Sequence, residues 1–327
     1  MRILVTGGAG FVGSVSVELL LEAGHSVTVL DSLATGHRAS VPEGANVVEG
    51  SVLDGALVER ALREDAIEAV LHCAARALVG ESVADPALYY SENVVGGVAL
   101  LDAMRRAGVS RIVFSSTAAT YGEPESIPIV ESQPQRPINP YGETKLAFER
   151  ALHWYGQAYG MRAVALRYFN VAGATERRGE DHDPETHLIP NVLRAIETGA
   201  PVTLFGDDYP TPDGTCVRDY IHVADLAEAH AAALELTASM APGLEAANLG
   251  SGSGFSVAEV VAAAERVTGR AVPRQVGPRR PGDPPVLVAS NDRARELLGW
   301  TPRRGSLEEM IGSAWEWRQA HADGYSD

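Results

Sequence analysis

The chain has 327 residues, 45% of them hydrophobic, with 33 glycines and 19 prolines; this suits about two globular domains whose cores need no staples. A formal net charge of −16 makes an unfavourable field for nucleic acid or an anionic membrane, so neither is expected as a partner. Cys73 and Cys216 are the only cysteines, which excludes a disulfide framework and suits a reducing compartment. No apolar run approaches a membrane span and no basic-then-apolar leader opens the chain, so a cytoplasmic location is expected.

Arg2 to Thr6 reads as a short buried strand. Gly7, Gly10 and Gly13 follow, then helical periodicity from Ser14 to Glu22, then a second strand, Ser26 to Leu30, closed by Asp31. Strand, glycine turn, helix, strand and acid within about 30 residues is the arrangement of a dinucleotide site. The glycines let the backbone approach a pyrophosphate at the helix N-terminus. Asp31 accepts hydrogen bonds from ribose hydroxyls and repels a 2′-phosphate, so NAD is favoured over NADP.

Strands are expected at Asn46 to Glu49 and Ala69 to His72, with a helix at Leu57 to Arg63 between them. Cys73, Ala74 and Ala75 follow the second of these strands, where small residues leave room for a cofactor beyond the carboxyl end of a parallel sheet. Core packing accounts for them equally well, and His72 reads as a structural histidine. Tyr89 to Arg106 reads as one long helix carrying Asn93 among apolar neighbours. Arg111 to Phe114 is a strand whose carboxyl end bears Ser115, Ser116 and Thr117, hydroxyls expected to point at the site. A helix is predicted over 140–159, opened by Pro140, and Ala163 to Arg167 is a further strand. The alternation makes an α/β fold with a doubly wound parallel sheet.

After about residue 170 loops lengthen and prolines cluster. Residues 1–170 are therefore assigned to a dinucleotide-binding domain, with the stretch near 215–240 returning to it, and 171–327 to a smaller α/β substrate domain. The six histidines after position 150 show no metal-ligand spacing, and no metal site is expected.

On helix 140–159, Tyr141 and Lys145 are four apart and share a face. A free tyrosine titrates near pH ~10, but an adjacent ammonium and a cationic nicotinamide favour its phenolate, making a proton acceptor for an alcohol. The same spacing occurs in many amphipathic helices, so the pair carries weight only beside the glycine turn.

Together, Gly7-x-x-Gly10-x-x-Gly13, Asp31, Ser115-Ser116-Thr117 and Tyr141-x-x-x-Lys145 resemble the extended short-chain dehydrogenase/reductase family. The finer similarity is to its UDP-sugar 4-epimerases. It rests on Val79-Gly80-Glu81-Ser82, the run from Tyr168 to Ala174, the run from Phe205 to His222, and Arg280-Pro281-Gly282-Asp283. The resemblance implies Tyr141 as general base, Lys145 as the group that lowers its pKa and holds the nicotinamide ribose, and Thr117 as the hydroxyl on the sugar's 4-oxygen. It places Phe11, Val12, Asp31, Ser32, Leu33, Thr35, Gly36, Ser51, Val52, Cys73, Ala74, Ala75, Arg76, Asn93, Ser115 and Phe169 along the NAD site. It places Asn170, His187, Leu188, Thr203, Phe205, Arg218, Tyr220, Arg280, Asp283 and Leu287 along the UDP-hexose, and it implies a homodimer. Arg218 and Arg280 offer planar forks for a diphosphate, although surface salt bridges are the simpler use of an arginine in so acidic a chain.

The pattern also departs from the family. Ser51 stands where relatives usually carry an Asp near the adenine, Ala77 replaces a Lys near the phosphates, and Glu92 occupies the place of a common Asn. Leu287 replaces a bulky Tyr that narrows the sugar pocket in some members, which opens the pocket to 2-acetamido sugars. The expected reaction is therefore epimerisation of UDP-hexoses at carbon 4 through a 4-keto sugar. The rivals are another nucleotide-sugar enzyme of this family (dehydratase, decarboxylase or reductase) and a non-catalytic NAD sensor. A 4,6-dehydratase uses an Asp-Glu pair directly after the active-site Thr, where this chain has Ala118-Ala119, and a silent sensor has no need of the intact Tyr-Lys pair.

Overall fold

The computed structural model describes residues 1–280 and 284–326. Six strands in chain order, β1 (Arg2–Thr6), β2 (Ser26–Asp31), β3 (Asn46–Glu49), β4 (Ala69–His72), β5 (Arg111–Thr117) and β6 (Arg162–Tyr168), join Gly243–Leu249 in one parallel sheet. From edge to edge the order is Gly243–Leu249, β6, β5, β4, β1, β2, β3. The chain winds outward from β1 one way to β3, then crosses back to β4 and continues the other way. The switch point between β1 and β4 is where an open parallel sheet leaves a crevice beyond its carboxyl ends. Buried on both faces, these strands are near-continuous apolar runs: Ile3, Leu4, Val5, Val70, Leu71, Ile112 and Val113 are all inaccessible to solvent.

Helices α1 (Phe11–Glu22), α2 (Gly55–Glu64), α3 (Val79–Ala84), α4 (Pro86–Tyr89), α5 (Gly96–Ala107) and α6 (Pro140–Tyr159) supply the crossovers. The single helix expected over Tyr89 to Arg106 is instead α4, a π-helical turn at Tyr90–Val95, and α5. The widened turn buries Asn93, whose amide grips the Arg76 backbone at 2.8 and 3.0 Å and the Thr144 hydroxyl at 3.0 Å. A π-bulge at a functional element is a recurrent device, and here it ties the segment after β4 to α6.

Beyond residue 170 come α7 (Leu188–Thr198), α8 (Val223–Ser239), α9 (Val257–Thr268), α10 (Asp292–Leu298) and α11 (Leu307–Ala320). Leu226, Ala229, Ala233 and Leu234 of α8 share the core of α1 and the sheet, and Gly243–Leu249 supplies the edge strand beside β6. The sheet domain thus draws on chain well past residue 170. A second core holds Val192 and Leu193 of α7, Val260 and Ala264 of α9, and Met310 and Ile311 of α11. Around it lie short sheets: Val202–Phe205 with Arg274–Gly277, Asn170–Ala172 with Tyr220–His222, and Val217–Arg218 between Phe255–Ser256 and Val286–Leu287. Among the described residues, no helix is long and apolar enough to cross a membrane.

Candidate active site

The glycine turn is the first part of the site. Gly7 has φ +72°, and a Cβ there would lie 2.5 Å from the Ala74 backbone nitrogen, so only glycine lets the turn after β1 rest against the turn after β4. Gly10 is the N-cap of α1 and no side chain caps it. The first N–H groups of that helix stay available for a pyrophosphate. The Asp31 carboxylate accepts the amides of Ala9 and Leu33, both at 2.9 Å. Two backbone donors on one carboxylate fix its direction and leave lone pairs for ribose hydroxyls. The residues present fit a dinucleotide. Ser32 and Thr35 are exposed beside it, and Val52 is buried against Gly96. Ser51 Oγ accepts the Leu53 amide at 3.1 Å.

The second part is a stripe on α6. Asn139 caps the helix, its Oδ1 accepting the Gly142 amide at 2.9 Å, and Pro140 occupies the first turn. A Cβ on Gly142 would lie 2.4 Å from the Ala119 carbonyl oxygen, so glycine allows the helix to start against the backbone that follows β5. Tyr141, Lys145 and Glu149, spaced by four, then face successive groups of that strand. Thr117 lies by the Tyr141 phenol. Lys145 Nζ donates to the Ser115 carbonyl at 2.9 Å and sits 4.7 Å over the Phe114 ring. Glu149 accepts from the Ser116 hydroxyl at 2.5 Å.

The electrostatics differ from the expectation. Burial pushes the Tyr141 phenol above its ordinary value, with Thr117 pulling the other way. Lys145 lies 6.0 Å from the Tyr141 ring centre with its ammonium turned to a carbonyl. Burial lowers Lys145 itself to about 8, with Cys73 and Glu149 opposing. The protein groups around Tyr141 thus do not by themselves acidify the phenol, a direction in which a cationic nicotinamide would act.

The three hydroxyls after Phe114 diverge, because side chains alternate along a strand. Ser116 points away from Tyr141 into a buried pair, Glu149 with Arg167, whose guanidinium donates to Glu149 Oε1 at 3.0 Å and to the Tyr121 hydroxyl at 2.8 Å. Tyr121 in turn donates to Asn248 at 2.7 Å. The Ser115 hydroxyl contacts Cys73 Sγ at 3.2 Å and His230 Nε2 at 2.9 Å, so Thr117 alone of the three meets the phenol. His72 is structural: its Nδ1 bonds the Thr6 hydroxyl at 2.7 Å, and burial lowers it to about 3.

The third part hangs from β6. Phe169 is half-buried at the end of that strand. Asn170 begins Asn170–Ala172, paired with Tyr220–His222, and both its amide nitrogens donate to the Asp219 carbonyl, at 3.1 and 2.9 Å. That junction sets Arg218 close to the carboxyl end of the main sheet. Leu287 is its neighbour in register, and the Arg218 guanidinium reaches the Val217 carbonyl at 2.7 Å. Arg280 lies 4.1 Å over the half-exposed Phe205 ring, and Gln275 donates to the Thr203 hydroxyl at 3.0 Å. Tyr220 is buried with its ring near Phe255. His187 and Leu188 stand at the start of α7. Asp283 falls outside the described residues.

Sequence reasoning passed over two hubs. The Asp219 carboxylate is buried and accepts from Ser251 N, Ser251 Oγ and Ala289 N at 2.5, 2.7 and 2.9 Å, joining three loops of the substrate half. Glu149 was legible, being four residues beyond Lys145 on the same stripe. A cluster at Glu180, His182, Glu185 and His187 was also missed.

A glycine turn at the switch point, an acid closing the second strand and a Tyr-Lys stripe against a Ser-Thr strand end define a dinucleotide-dependent short-chain enzyme. The chain belongs to the NAD dependent epimerase/dehydratase family, whose model matches residues 3–250. It is 53% identical over 330 residues to the UDP-glucose 4-epimerase of Streptomyces lividans, covering 100% of this chain and 98% of that one. The structure of UDP-glucose 4-epimerase from Brucella ovis in complex with NAD matches with a TM-score of 0.93 at 48% identity, covering 96% of this chain and 97% of that one. That of the Bifidobacterium longum enzyme in complex with NAD⁺ and UDP matches with a TM-score of 0.93 at 37% identity, over 99% and 100%.

Proposed function

We propose that the protein interconverts UDP-hexoses at carbon 4, UDP-glucose with UDP-galactose first among them, using NAD that stays bound between cycles. The observation that carries this reading is the α6 stripe, which sets Tyr141 beside Thr117 and Lys145 behind both at the carboxyl end of β5. Bound NAD supplies a hydride acceptor and donor for carbon 4 of the sugar. Tyr141 takes the proton of the 4-hydroxyl and later returns it to the 4-oxygen of the 4-keto sugar. Thr117 holds that oxygen within reach of the phenol on either face. Lys145, fixed by the Ser115 carbonyl, keeps a positive charge near the phenolate as it forms. Arg218 and Arg280 grip the diphosphate, so the sugar is anchored only through UDP and is free to turn over.

Relatives of 48–53% identity along nearly the whole chain carry the same activity in their names, which supports the reading. Ala118 and Ala119 after Thr117 provide no acid pair for eliminating water, which argues against the dehydratases of the family. The test is incubation of purified protein with UDP-galactose, then with UDP-glucose, without added NAD. The expected result is interconversion to one equilibrium from both sides. Failure with both sugars, in protein that carries the dinucleotide, sinks the reading.

The same reading includes a cytoplasmic homodimer. Val79, Val83, Tyr90 and Val95 expose large apolar side chains along 79–95, and Trp154 and Tyr159 do so on α6; Val83 is 64% and Trp154 67% exposed. Apolar surface concentrated on two helical stretches suits a self-complementary interface. The native mass in solution checks it.

A further inference from the structure

The segment from Glu180 to His187, outside the α6 stripe, folds two imidazoles and two carboxylates onto one point. We propose that Glu180, His182, Glu185 and His187 form a binding site for one divalent transition-metal ion with the ligand preferences of zinc.

One ligand atom from each residue lies within 4.8 Å of every other. His182 Nδ1 is 3.2 Å from Glu180 Oε1, and His187 Nδ1 bonds that same oxygen. Glu185 completes the ring, with Oε2 3.8 Å from His182 Nδ1 and Oε1 3.7 Å from His187 Nδ1. Donors around a tetrahedral zinc stand roughly 3.3 Å apart, given bonds near 2.0–2.1 Å. A cation at the centre therefore draws the widest pair inward by about 1.5 Å and parts the Glu180–His187 pair, movements within the reach of side-chain rotation.

Charge and access fit as well. Two carboxylates and two neutral imidazoles carry −2, which a dication neutralises. The carboxylates form the dry floor, with side chains 7% and 8% exposed, while the rings at 32% and 50% form the mouth. Desolvated carboxylates on the floor strengthen attraction to a cation, and the open rings provide its entry path. The positive end of α7 opposes a cation here, but Glu185 Oε1 already accepts the His187 amide at 2.7 Å and screens it.

The backbone that carries the ligands is held from outside. Gly179 donates to the Tyr325 hydroxyl at 3.1 Å, and the Asp181 carboxylate accepts the Tyr325 amide at 2.9 Å. Asn191 holds the carbonyls of Glu185 and His187 at 3.3 and 2.7 Å. Two imidazole nitrogens select zinc-like ions over magnesium or calcium, which favour oxygen. Imidazole and carboxylate donors of this kind bind a cation in their deprotonated forms. The site lies off the α6 stripe but shares His187 with the stretch placed along the UDP-hexose.

The test uses full-length protein stripped with a chelator and titrated calorimetrically with Zn²⁺, with Co²⁺ as an optical probe. The expected result is one Zn²⁺ per chain and visible absorption from four-coordinate Co²⁺. Magnesium at millimolar concentration does not compete. His182→Ala and Glu185→Gln each weaken Zn²⁺ at least ~10-fold with an unchanged circular dichroism spectrum, and His182→Gln replaces the alanine variant if that one fails to fold. Absence of stoichiometric binding by the wild type overturns the proposal, and so does Zn²⁺ affinity unmoved in both the His182 and Glu185 variants.

Discussion

The two ends of the substrate site are built differently. At the dinucleotide end, position is set by backbone against backbone: Gly7 on Ala74 and Gly142 on Ala119. At the UDP end, position is set by side chains on short strands: Arg280 over Phe205, Arg218 against the Val217 carbonyl, Arg279 paired with Asp208 at 2.6 Å. Backbone contacts in a seven-stranded sheet cannot yield without unfolding it, whereas an arginine on an aromatic face can shift by rotation. The reacting groups are thus held fixed and the anchor is adaptable. An enzyme that must present both faces of a sugar to one hydride site needs this division.

The comparison breaks first at Tyr141. Tyr141→Phe removes the proposed proton acceptor and little volume, so kcat should fall by ~10²–10⁴ while bound NAD and the KM for UDP-sugar stay near wild type. Near-normal turnover would move the base elsewhere. Next comes Glu149→Ala, which leaves Arg167 as an unpaired buried charge; the pair's side chains are 3% and 6% exposed. The expected loss is ~3–5 kcal/mol of stability in a denaturant titration, and a loss below ~1 kcal/mol would mean the network behind Thr117 is not what holds β5 to α6. On the adaptable side, Arg218→Ala removes the proposed diphosphate contacts, which would be the same in ground and transition states. It should raise KM by ~10–100-fold with kcat nearly unchanged. A kcat loss equal to that of Tyr141→Phe would erase the distinction between the two ends.

The two ends also differ in how far the sequence revealed them. The strand, glycine turn and acid at Arg2 to Asp31 are local, and each has one conformational use, so reading and structure agree on them. The continuous helix from Tyr89 to Arg106 was misread because a π-turn leaves the apolar pattern intact; only the partners of Asn93, from Arg76 to Thr144, give a reason for the bulge. Ser115 and Ser116 were grouped with Thr117 by sequence adjacency, while strand alternation sends Ser116 to Glu149. The four-residue spacing sets Tyr141 and Lys145 on one face of α6, yet the electrostatics of the phenol depend on what Lys145 meets across 30 residues, which no spacing encodes. The Asp219 hub joins residues 32 and 70 positions away, and the Glu180–His187 cluster is made by loop folding rather than by a helical interval.

Leu287 offers the finest test, because it sits where the two modes meet. It lies in register beside Arg218 on a two-residue strand, half-buried, and its main chain accepts the Asp219 amide at 2.9 Å. Leu287→Tyr adds an aromatic ring to a position whose backbone is held by that hydrogen bond, so the new bulk must project rather than retreat. A sugar carrying a 2-acetamido group needs more room to turn over than glucose does, while both use the same UDP grip. The variant should therefore lose turnover of UDP-N-acetylglucosamine by ~10-fold or more, the scale of a steric mismatch of 1–3 kcal/mol, and keep UDP-glucose within about twofold. Equal losses for both sugars would place Leu287 in the anchor instead of the sugar's path. If the wild type leaves UDP-N-acetylglucosamine untouched at millimolar concentration, the width of this pocket is set by residues other than Leu287.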